Sequence, residues 1–418
     1  MLKASALYMV IVISLVIGIL CSSLIVTAYY YRAEYQKKFR YDQLKNNLGS
    51  GINIMLASAD SSYAIEKTFS LFNRQNDSVS LKQITWGVYN IGIAKAFTQG
   101  DTMYKTFTIA NSIDSNKWSA LYLVDEDRPA SVSGSTMIRG DTYLPKSGIQ
   151  QAYVNNTAYK GDKRLVIGKK MVSEKYLSSL DTARLRKLTW YFTAKGDSLF
   201  TLDSVQRSFL LPVKIFDFKK EVQTISGREL KGNIVLHSDT TITIDSTAKM
   251  DGILVFARAI VVNKGFHGNC QLFATDSISV GKNCHFEYPS CLGVIRFTKP
   301  PIPSPAKISL GETSTLSGLI FNYEKEPGAV KPLISIGKMD TIRGQIYSQY
   351  SLELKDNVHI EGSVATTNFL YRSGFTLYQN YLINAKIDSK LLSPYYLSSP
   401  VLPGTSKKKR ILRWLEQK

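Results

Sequence analysis

Histidine and cysteine are scarce in this chain of 418 residues, which contains four of each. Cys21 lies inside an apolar run, and Cys270, Cys284 and Cys291 are an odd set that defines no disulfide framework. The sequence also lacks a nucleophile elbow, a phosphate-binding loop and a dinucleotide-binding fingerprint. Few histidines beside 24 tyrosines favour β-sheet packing over acid–base or metal chemistry. We therefore predict neither an enzyme nor a cofactor or metal site.

Acidic residues are outnumbered, and the formal net charge is +19. The basic residues are spread along the chain, and residues 407–410 (KKKR) are its one dense basic run. No zinc finger, basic zipper or aromatic RNA-binding motif accompanies them. The charge therefore predicts a surface that tolerates anionic lipid headgroups or acidic envelope polymers, rather than a nucleic-acid partner.

Charged residues are absent from residues 6–28, a run of 23 amino acids that reads ALYMVIVISLVIGILCSSLIVTA. As a helix this run would be roughly 34 Å long, enough to cross the hydrocarbon core of a bilayer. A secretory signal peptide is the competing interpretation, but the run is long for one and no clean cleavage site follows it. The sequence predicts a membrane anchor, with apolar residues in the lipid and a tyrosine belt at the interface: Leu7, Val10, Ile11, Val12, Leu15, Ile17, Leu20, Leu24, Tyr29, Tyr30 and Tyr31.

The helix is expected to continue beyond the membrane as a stalk, until the glycines of residues 49–51. Residues 32–47 contain neither glycine nor proline, and Tyr35, Phe39, Leu44, Leu48 and Ile52 recur at helical spacing as one apolar stripe. Residues 3–7 (KASAL), the apolar helix and its polar continuation resemble the N-terminus of minor pilins and pseudopilins. The likeness is to members that lack the usual acidic residue early in the helix.

That resemblance covers about the first sixty residues and implies a helix that first anchors the protein and then packs within a filament or its tip. Ala4 stands where the processing site of the family has glycine, which argues against cleavage by a prepilin-type peptidase. Orientation remains open between two arguments. Arg32, Lys37 and Lys38 after the helix favour a cytoplasmic body by the positive-inside rule, whereas the pilin resemblance favours an extracytoplasmic one, which we prefer.

A repeat occupies the second half of the chain. Six segments, which begin at residues 242, 260, 278, 308, 334 and 352, share an apolar-x-apolar start, a turn residue and a later apolar position. The spacing is 18 residues, except across residues 298–303 (TKPPIP) and 325–328 (KEPG), where it lengthens to 30 and 26. Two apolar columns are predicted to seal the core: Ile242, Ile260, Ile278, Ile308, Ile334 and Leu352, and then Ile244, Val262, Val280, Leu310, Ile336 and Leu354. Gly252, Gly318, Gly344 and Gly362 are predicted to keep each coil tight.

Short strands at this spacing predict a parallel β-helix, also called a β-solenoid, whose stacked rungs of about 18 residues form one core. An antiparallel sandwich is the alternative, but its hairpins would not keep this register. The rung length and pattern over residues 230–370 resemble the polymer-forming module of bactofilins, a resemblance that implies end-to-end stacking.

The predicted fold class is thus mostly β, with a transmembrane and stalk α-helix (residues 1–58), a mixed α/β middle region (59–230), a β-helix (231–375) and a C-terminal segment with a basic tail (376–418). In the middle region, residues 86–91 and 107–110 are predicted as strands. An early rung is expected to begin near Ser119, and a helix within residues 173–191 to interrupt it.

His267 and His285 lie 18 residues apart, so they should stack on one face of consecutive rungs. The register places Cys270 and Cys284 in the core, which favours a surface histidine ladder over a zinc site. The outward columns show no paired carboxylates of the kind that glycosidases use.

We therefore predict a membrane-anchored structural protein of a pilus-like or secretion-type envelope assembly. Its expected partners are membrane lipid and other protein subunits, including copies of itself. Two alternatives stay open: a β-helix that binds or acts on polysaccharide, and a bactofilin-like scaffold on the cytoplasmic side.

Overall fold

The computed structural model of the chain describes residues 2–59, 62–73, 77–98, 100–196, 203–298, 304–374 and 376–417. Its elements up to residue 172 are α1 (Leu2–Ala57), β1 (Lys67–Ser70), β2 (Ser78–Trp86), β3 (Tyr89–Thr98), β4 (Asp101–Ile113), β5 (Leu121–Leu123), β6 (Ala130–Ser133), β7 (Met137–Arg139), β8 (Thr142–Leu144), β9 (Ile149–Gln151) and β10 (Lys170–Val172).

The remaining elements are α2 (Thr182–Thr189), a 3₁₀ turn (Trp190–Thr193), β11 (Ser204–Arg207), β12 (Lys214–Asp217), β13 (Gln223–Ile225), β14 (Glu229–Gly232), β15 (Ile234–Ile244), β16 (Lys249–Val262), β17 (His267–Val280), β18 (His285–Arg296), β19 (Lys307–Ser309), β20 (Thr315–Glu324), β21 (Leu333–Ile336), β22 (Thr341–Leu354), β23 (His359–Ser373), β24 (Thr376–Gln379), β25 (Tyr381–Ile383), β26 (Lys386–Asp388) and β27 (Thr405–Gln417). The predicted mostly-β chain with a long apolar helix at its N-terminus is thus confirmed.

The chain divides into two compact units. The helix unit comprises Met1–Ile84, Gly92–Phe107 and Trp414–Lys418, and the β body comprises Thr85–Ile91 and Thr108–Arg413. The four predicted segments followed one another along the chain, whereas each of these units collects pieces that are distant in sequence.

In the helix unit, the C-terminal part of α1 packs on β-structure. Leu44, Leu48, Ile52 and Met55 are at most 6% exposed, and they recur every three or four residues, so they form one face of the helix. Tyr35 and Phe39 are more than 60% exposed, so the predicted apolar stripe is buried only from Leu44 onward.

The glycines of residues 49–51 do not end the helix as expected, and α1 continues to Ala57, close to the end of the predicted helical segment at residue 58. A Cβ atom on Gly51 would lie 3.2 Å from Cδ2 of Leu81 and 3.6 Å from Cβ of Val79. Glycine at this position therefore lets the helix approach the strand closely. Its cost in helix propensity, about 1 kcal/mol, is offset by the tertiary packing.

One sheet has the strand order β1-β2-β3-β4-β27. β1 and β2 are antiparallel, and the two-residue connection between β2 and β3 forces the same arrangement. That connection contains Gly87 at a φ of 59°, so the predicted strand over residues 86–91 is interrupted by a hairpin turn. Residues 107–110 lie in β4, as predicted.

The β body consists mainly of parallel strands in the predicted register. Hydrogen-bonded neighbours in the first column are Ile242 and Ile260, Ile260 and Ile278, Ile278 and Ile308, Ile308 and Ile334, and Ile334 and Leu352. These pairs are not those of an antiparallel sandwich. The strands from β10 to β24, with β26, β5, β7 and β8, form one set that closes on itself around an apolar interior.

Two chain segments lengthen the repeat, as the sequence indicates. Residues 325–328 lie between β20 and β21, outside any strand. The other predicted insertion is residues 298–303, of which 299–303 lie outside the described residues.

The strands near Ser119 precede the repeat in sequence, but in the structure they pair with strands at its C-terminal end. Leu121 of β5 pairs with Val364 of β23, and Met137 of β7 pairs with Lys386 of β26. The opposite end of the repeat is extended by β11 and β12, which pair with β14 and β15. The predicted helix over residues 173–191 is shorter than expected, since α2 begins at Thr182.

Candidate functional site

The predicted anchor residues all lie on the exposed part of α1. Residues 5–39 of the helix are exposed, and Ser5–Ala57 is, among the described residues, the one helix long and apolar enough to cross a membrane. The exposed fractions of Leu7, Leu24 and Tyr31 are 65%, 68% and 76%, and those of the other predicted anchor residues are at least 42%. This surface is therefore available to lipid or to other helices.

Hydroxyl groups within the apolar run are bonded to the helix itself. Ser14 Oγ donates to the carbonyl oxygen of Ile11 at 2.9 Å, Ser23 Oγ to that of Leu20 at 2.8 Å, and Thr27 Oγ1 to that of Ser23 at 2.8 Å. Such bonds satisfy the hydroxyl groups without water, which is what a hydrocarbon environment requires.

The twelve predicted core residues all lie in the apolar interior of the β body. Each is at most 4% exposed, and all belong to one continuous cluster. Burial of a side chain of this size stabilises a fold by about 1.5–3 kcal/mol, so the two columns are a principal source of stability for the β body.

Three of the four predicted glycines form a backbone column. Gly318, Gly344 and Gly362 pair in register at φ values of 144°, 146° and 154°, which side-chain-bearing residues rarely adopt. A Cβ atom on each would overlap the carbonyl oxygen of Ser290, Gly318 and Gly344, respectively. Gly252 differs, because it lies at a bulge between β16 and β17 and a Cβ atom there would meet nothing within 4 Å.

Cys270, Cys284 and Cys291 are buried free thiols. Burial raises the pKa of all three, which keeps them protonated and makes them poor nucleophiles and poor metal ligands. The two histidines are in the arrangement that the sequence predicts: His267 and His285 are paired across β17 and β18, with ring centroids 4.8 Å apart.

Two ion pairs on the outer face join neighbouring strands. Arg258 Nε lies 2.7 Å from Asp276 Oδ2, and Arg343 Nε lies 3.0 Å from Glu361 Oε2. Each of these two arginines is neutralised by its partner, so Arg258 and Arg343 are poorly placed to recognise an acidic polysaccharide.

A cavity of about 430 Å³ in the β body is the feature that the sequence did not reveal. Its wall includes the aromatic residues Trp118, Tyr122, Tyr143 and Tyr347. The rings of Tyr122 and Tyr143 lie 5.3 Å apart and are tilted by 36°. We call this cavity the tyrosine pocket. Its volume lies within the range of small-molecule sites, about 300–1,000 Å³.

The tyrosine pocket also presents hydrogen-bonding groups. The Tyr122 hydroxyl accepts from the backbone N–H of Glu174 at 3.2 Å, and the Tyr347 hydroxyl donates to the carbonyl oxygen of Ser178 at 2.9 Å. Burial raises the pKa of both phenols, so both stay neutral donors at physiological pH. Gln345 and Ser363 are further polar residues of the wall, which also includes the charged residues Lys117 and Glu174. Flat aromatic faces beside such groups suit a neutral polyhydroxylated ligand.

Comparison with protein-family models, curated proteins and solved structures finds no match to this chain. The long apolar helix, the closed parallel body and the tyrosine pocket are therefore the features that bear on function.

Proposed function

We propose that this protein is a membrane-anchored structural subunit of a pilus-like or secretion-type assembly in the cell envelope. The observation that carries the proposal is the division of α1 into two parts. Leu44, Leu48, Ile52 and Met55 are buried in the helix unit, whereas residues 5–39 are exposed, and the first 27 of these are almost entirely apolar.

An apolar surface of this size is unstable in water. Each large apolar side chain that becomes buried contributes about 1.5–3 kcal/mol, and monomeric soluble proteins rarely expose a continuous apolar patch of more than a few hundred Å². Residues 5–31 of α1, the apolar portion of this exposed surface, therefore need a partner along their whole length. A bilayer is the first partner, and the helices of other subunits are the second.

This two-part helix supports the resemblance to minor pilins and pseudopilins. In that family the helix anchors the subunit in the inner membrane and later packs against other helices during assembly. We infer a single-pass inner-membrane protein whose β body, with the part of the helix unit beyond the membrane, lies outside the cytoplasm.

The β body then has the role of the contact surface. We infer that it is a β-solenoid, in which successive coils of about 18 residues stack along one axis as they do in bactofilin-like modules. The exact 18-residue parallel pairing of Ile242 with Ile260 and of Ile260 with Ile278 supports this description. Contacts with other subunits, or with further copies of this chain, would use its outer faces.

A helix replacement in the native host tests assembly. Residues 5–31 are exchanged for an unrelated membrane-spanning helix of the same length that keeps a cysteine at position 21. Cys21 is exposed in the apolar run and is the one free thiol outside the β body. We expect both proteins to remain in the membrane, but only the natural helix to give thiol cross-links to itself or to a partner.

Two results would contradict the proposal. Equal cross-linking of the replaced helix would show that α1 is an anchor and nothing more. A mature protein that lacks residues 1–28 by mass spectrometry would identify a signal peptide. Protease accessibility of a tag after residue 418 shows on which side of the membrane the β body lies. Full protection of the tag in intact spheroplasts would exclude an extracytoplasmic body and favour the cytoplasmic-scaffold hypothesis.

A second candidate function, glycan binding, is favoured by the tyrosine pocket. Tyr122→Ala and Tyr143→Ala remove the aromatic faces and should lower affinity for a bound neutral oligosaccharide at least tenfold in a glycan array followed by calorimetry. Tyr153→Ala is the control, because Tyr153 is 69% exposed and does not line the pocket. Equal binding by all three variants would exclude the tyrosine pocket as the glycan-binding site.

A further inference from the structure

Three potential metal ligands meet on the surface of the β body. His267 begins β17 and His285 begins β18, and the two residues pair across these parallel strands. Glu287 follows His285 by two residues, so its side chain leaves the same face of β18. The ligand atoms of the three side chains all lie within 4.8 Å of one another.

We propose that His267, His285 and Glu287 bind a divalent transition-metal ion of the Zn²⁺, Ni²⁺ or Cu²⁺ class. Two imidazole nitrogens and one carboxylate oxygen form a donor set that such ions prefer, whereas Mg²⁺ and Ca²⁺ prefer oxygen ligands. Three protein ligands leave a coordination position open for water or for a side chain of another subunit.

The distances allow closure around an ion. Metal–ligand bonds of about 2.0–2.1 Å in a tetrahedral site place the ligand atoms roughly 3.4 Å from one another. The three ligand atoms therefore need to move only slightly closer together, which rotation of the side chains can achieve. His267 and Glu287 can rotate, since their side chains are 62% and 56% exposed, while the sheet holds the backbone positions fixed.

The hydrogen bonds around the cluster also suit a metal site. His267 Nε2 lies 2.9 Å from Glu287 Oε1, so a proton now occupies the place where an ion would bridge the two groups. His285 Nδ1 is bonded to Thr315 Oγ1 of the next strand. A bond of this kind orients a metal-binding imidazole and leaves its Nε2 atom free for the ion.

The sequence analysis weighed only the cysteines as further ligands beside the two histidines, and so it missed Glu287. The structure has Cys270 and Cys284 in the interior, as predicted, and places Glu287 beside the histidines. A ladder of two histidines without a carboxylate would offer only two ligands, which is too few for a stable site.

The test uses full-length protein in detergent micelles. The protein is purified without a polyhistidine tag and is freed of metal with a chelator. Titration with Zn²⁺ in a calorimeter should give one ion per chain, and Co²⁺ should give the visible absorption of a coordinated site. His267→Ala and His285→Ala should each lower the affinity for Zn²⁺ at least tenfold. Thr315→Val, which removes only the orienting bond, should lower it less.

His359→Ala is the matched control. His359 lies at the start of β23, in the same column as His285, and Glu361 follows it by two residues, with 4.0 Å between His359 Nδ1 and Glu361 Oε1. It has the same local sequence arrangement without a second histidine in the neighbouring strand, where Thr341 stands. This variant should bind Zn²⁺ like the unchanged protein.

The outcomes are distinguishable from failure of folding and from failure of the proposed assembly role. Circular dichroism and thermal unfolding of each metal-free variant establish that it folds. Unchanged Zn²⁺ affinity in the His267→Ala/His285→Ala double variant, or no bound Zn²⁺ in the natural protein, would overturn the metal site. Neither result depends on whether α1 assembles.

Discussion

The carbonyl oxygen of Gly318 occupies the space that a Cβ atom on Gly344 would require. The two glycines pair in register on adjacent parallel strands, and both have φ values near 145°. These two strands can thus lie at normal hydrogen-bonding distance only if Gly344 carries no side chain. The glycine column is a condition for the parallel packing of β20, β22 and β23.

Gly344→Ala should therefore destabilise the β body strongly. The substitution combines an unfavourable φ with a backbone overlap, for which we expect a loss of about 2–5 kcal/mol in the free energy of unfolding. Urea unfolding, followed by tryptophan fluorescence, measures the loss. Gly328→Ala is the control, since its Cβ atom would meet nothing within 4 Å, and it should change stability by less than about 0.5 kcal/mol. Similar midpoints for the two variants would contradict the role of the column.

Arg296 is a buried cation at the end of β18, and its removal should also be costly. Its guanidinium lies 3.0 Å from Asp276 Oδ1 and 3.3 Å from Glu324 Oε1, and its side chain is 3% exposed. Arg296→Ala would leave the buried Glu324 carboxylate without this cation and Asp276 with only its exposed partner Arg258, for which we expect a loss of about 3–5 kcal/mol.

The exposed pair of Arg343 and Glu361 provides the comparison for Arg296. The Arg343 side chain is 48% exposed, so Arg343→Ala should cost at most about 1 kcal/mol. Chemical unfolding of Arg296→Ala and Arg343→Ala at one pH and ionic strength measures the two losses in the free energy of unfolding. Equal losses would mean that burial adds nothing to the Arg296 network.

The parts of the fold that the sequence predicts are those with a repeated local signal. The apolar column from Ile242 to Leu352 recurs every 18 residues except where a loop is inserted, because successive strands pair in register, so the register could be read from one sequence. Gly51 has the local sequence signature of a helix end, yet α1 continues past it to Ala57. Its role depends on contact with Leu81, which no local pattern contains.

Long-range placement could not be predicted. β5 and β7 are strands of three residues, too short for a periodic signal, and they join β23 and β26 across more than 200 residues of sequence. The tyrosine pocket brings together residues near 120, 143 and 347 for the same reason. The tyrosine content indicated aromatic packing but not where the side chains meet.

The contact between α1 and the sheet gives a third prediction. Leu48 is 2% exposed, and Leu48→Ala should destabilise the helix unit by about 2–5 kcal/mol through lost burial and a cavity. Tyr35→Ala, at a position 64% exposed on the same helix, should leave stability unchanged. Hydrogen exchange in micelles is the measurement, because faster exchange in β2 and β3 reports the helix unit specifically. Unaltered exchange in Leu48→Ala would show that α1 does not stabilise the sheet.

Asp340 gives the β body a defined dependence on pH. Its carboxylate accepts the backbone N–H groups of Ser314 at 2.8 Å and Gly337 at 2.7 Å, yet burial dominates and raises its pKa from 3.8 to about 6. The folded protein therefore holds the proton more tightly than the unfolded chain does. Its contribution to stability is complete below about pH 4 and is lost as the pH rises through 6.

A shift of this size corresponds to roughly 2–3 kcal/mol between pH 4 and pH 7. Asp340→Asn cannot ionise and should remove this pH dependence. At pH 4, where Asp340 is protonated, Asp340→Asn should also lower stability, because one amide oxygen cannot accept both N–H groups in the same geometry. Urea midpoints at half-unit steps of pH measure the difference between the two proteins. Asp127→Asn is the control, because Asp127 is exposed and its φ of 58° is one that asparagine tolerates. This variant should keep the pH dependence of stability of the unchanged protein. If the pH dependence persisted in Asp340→Asn, it would belong to another group.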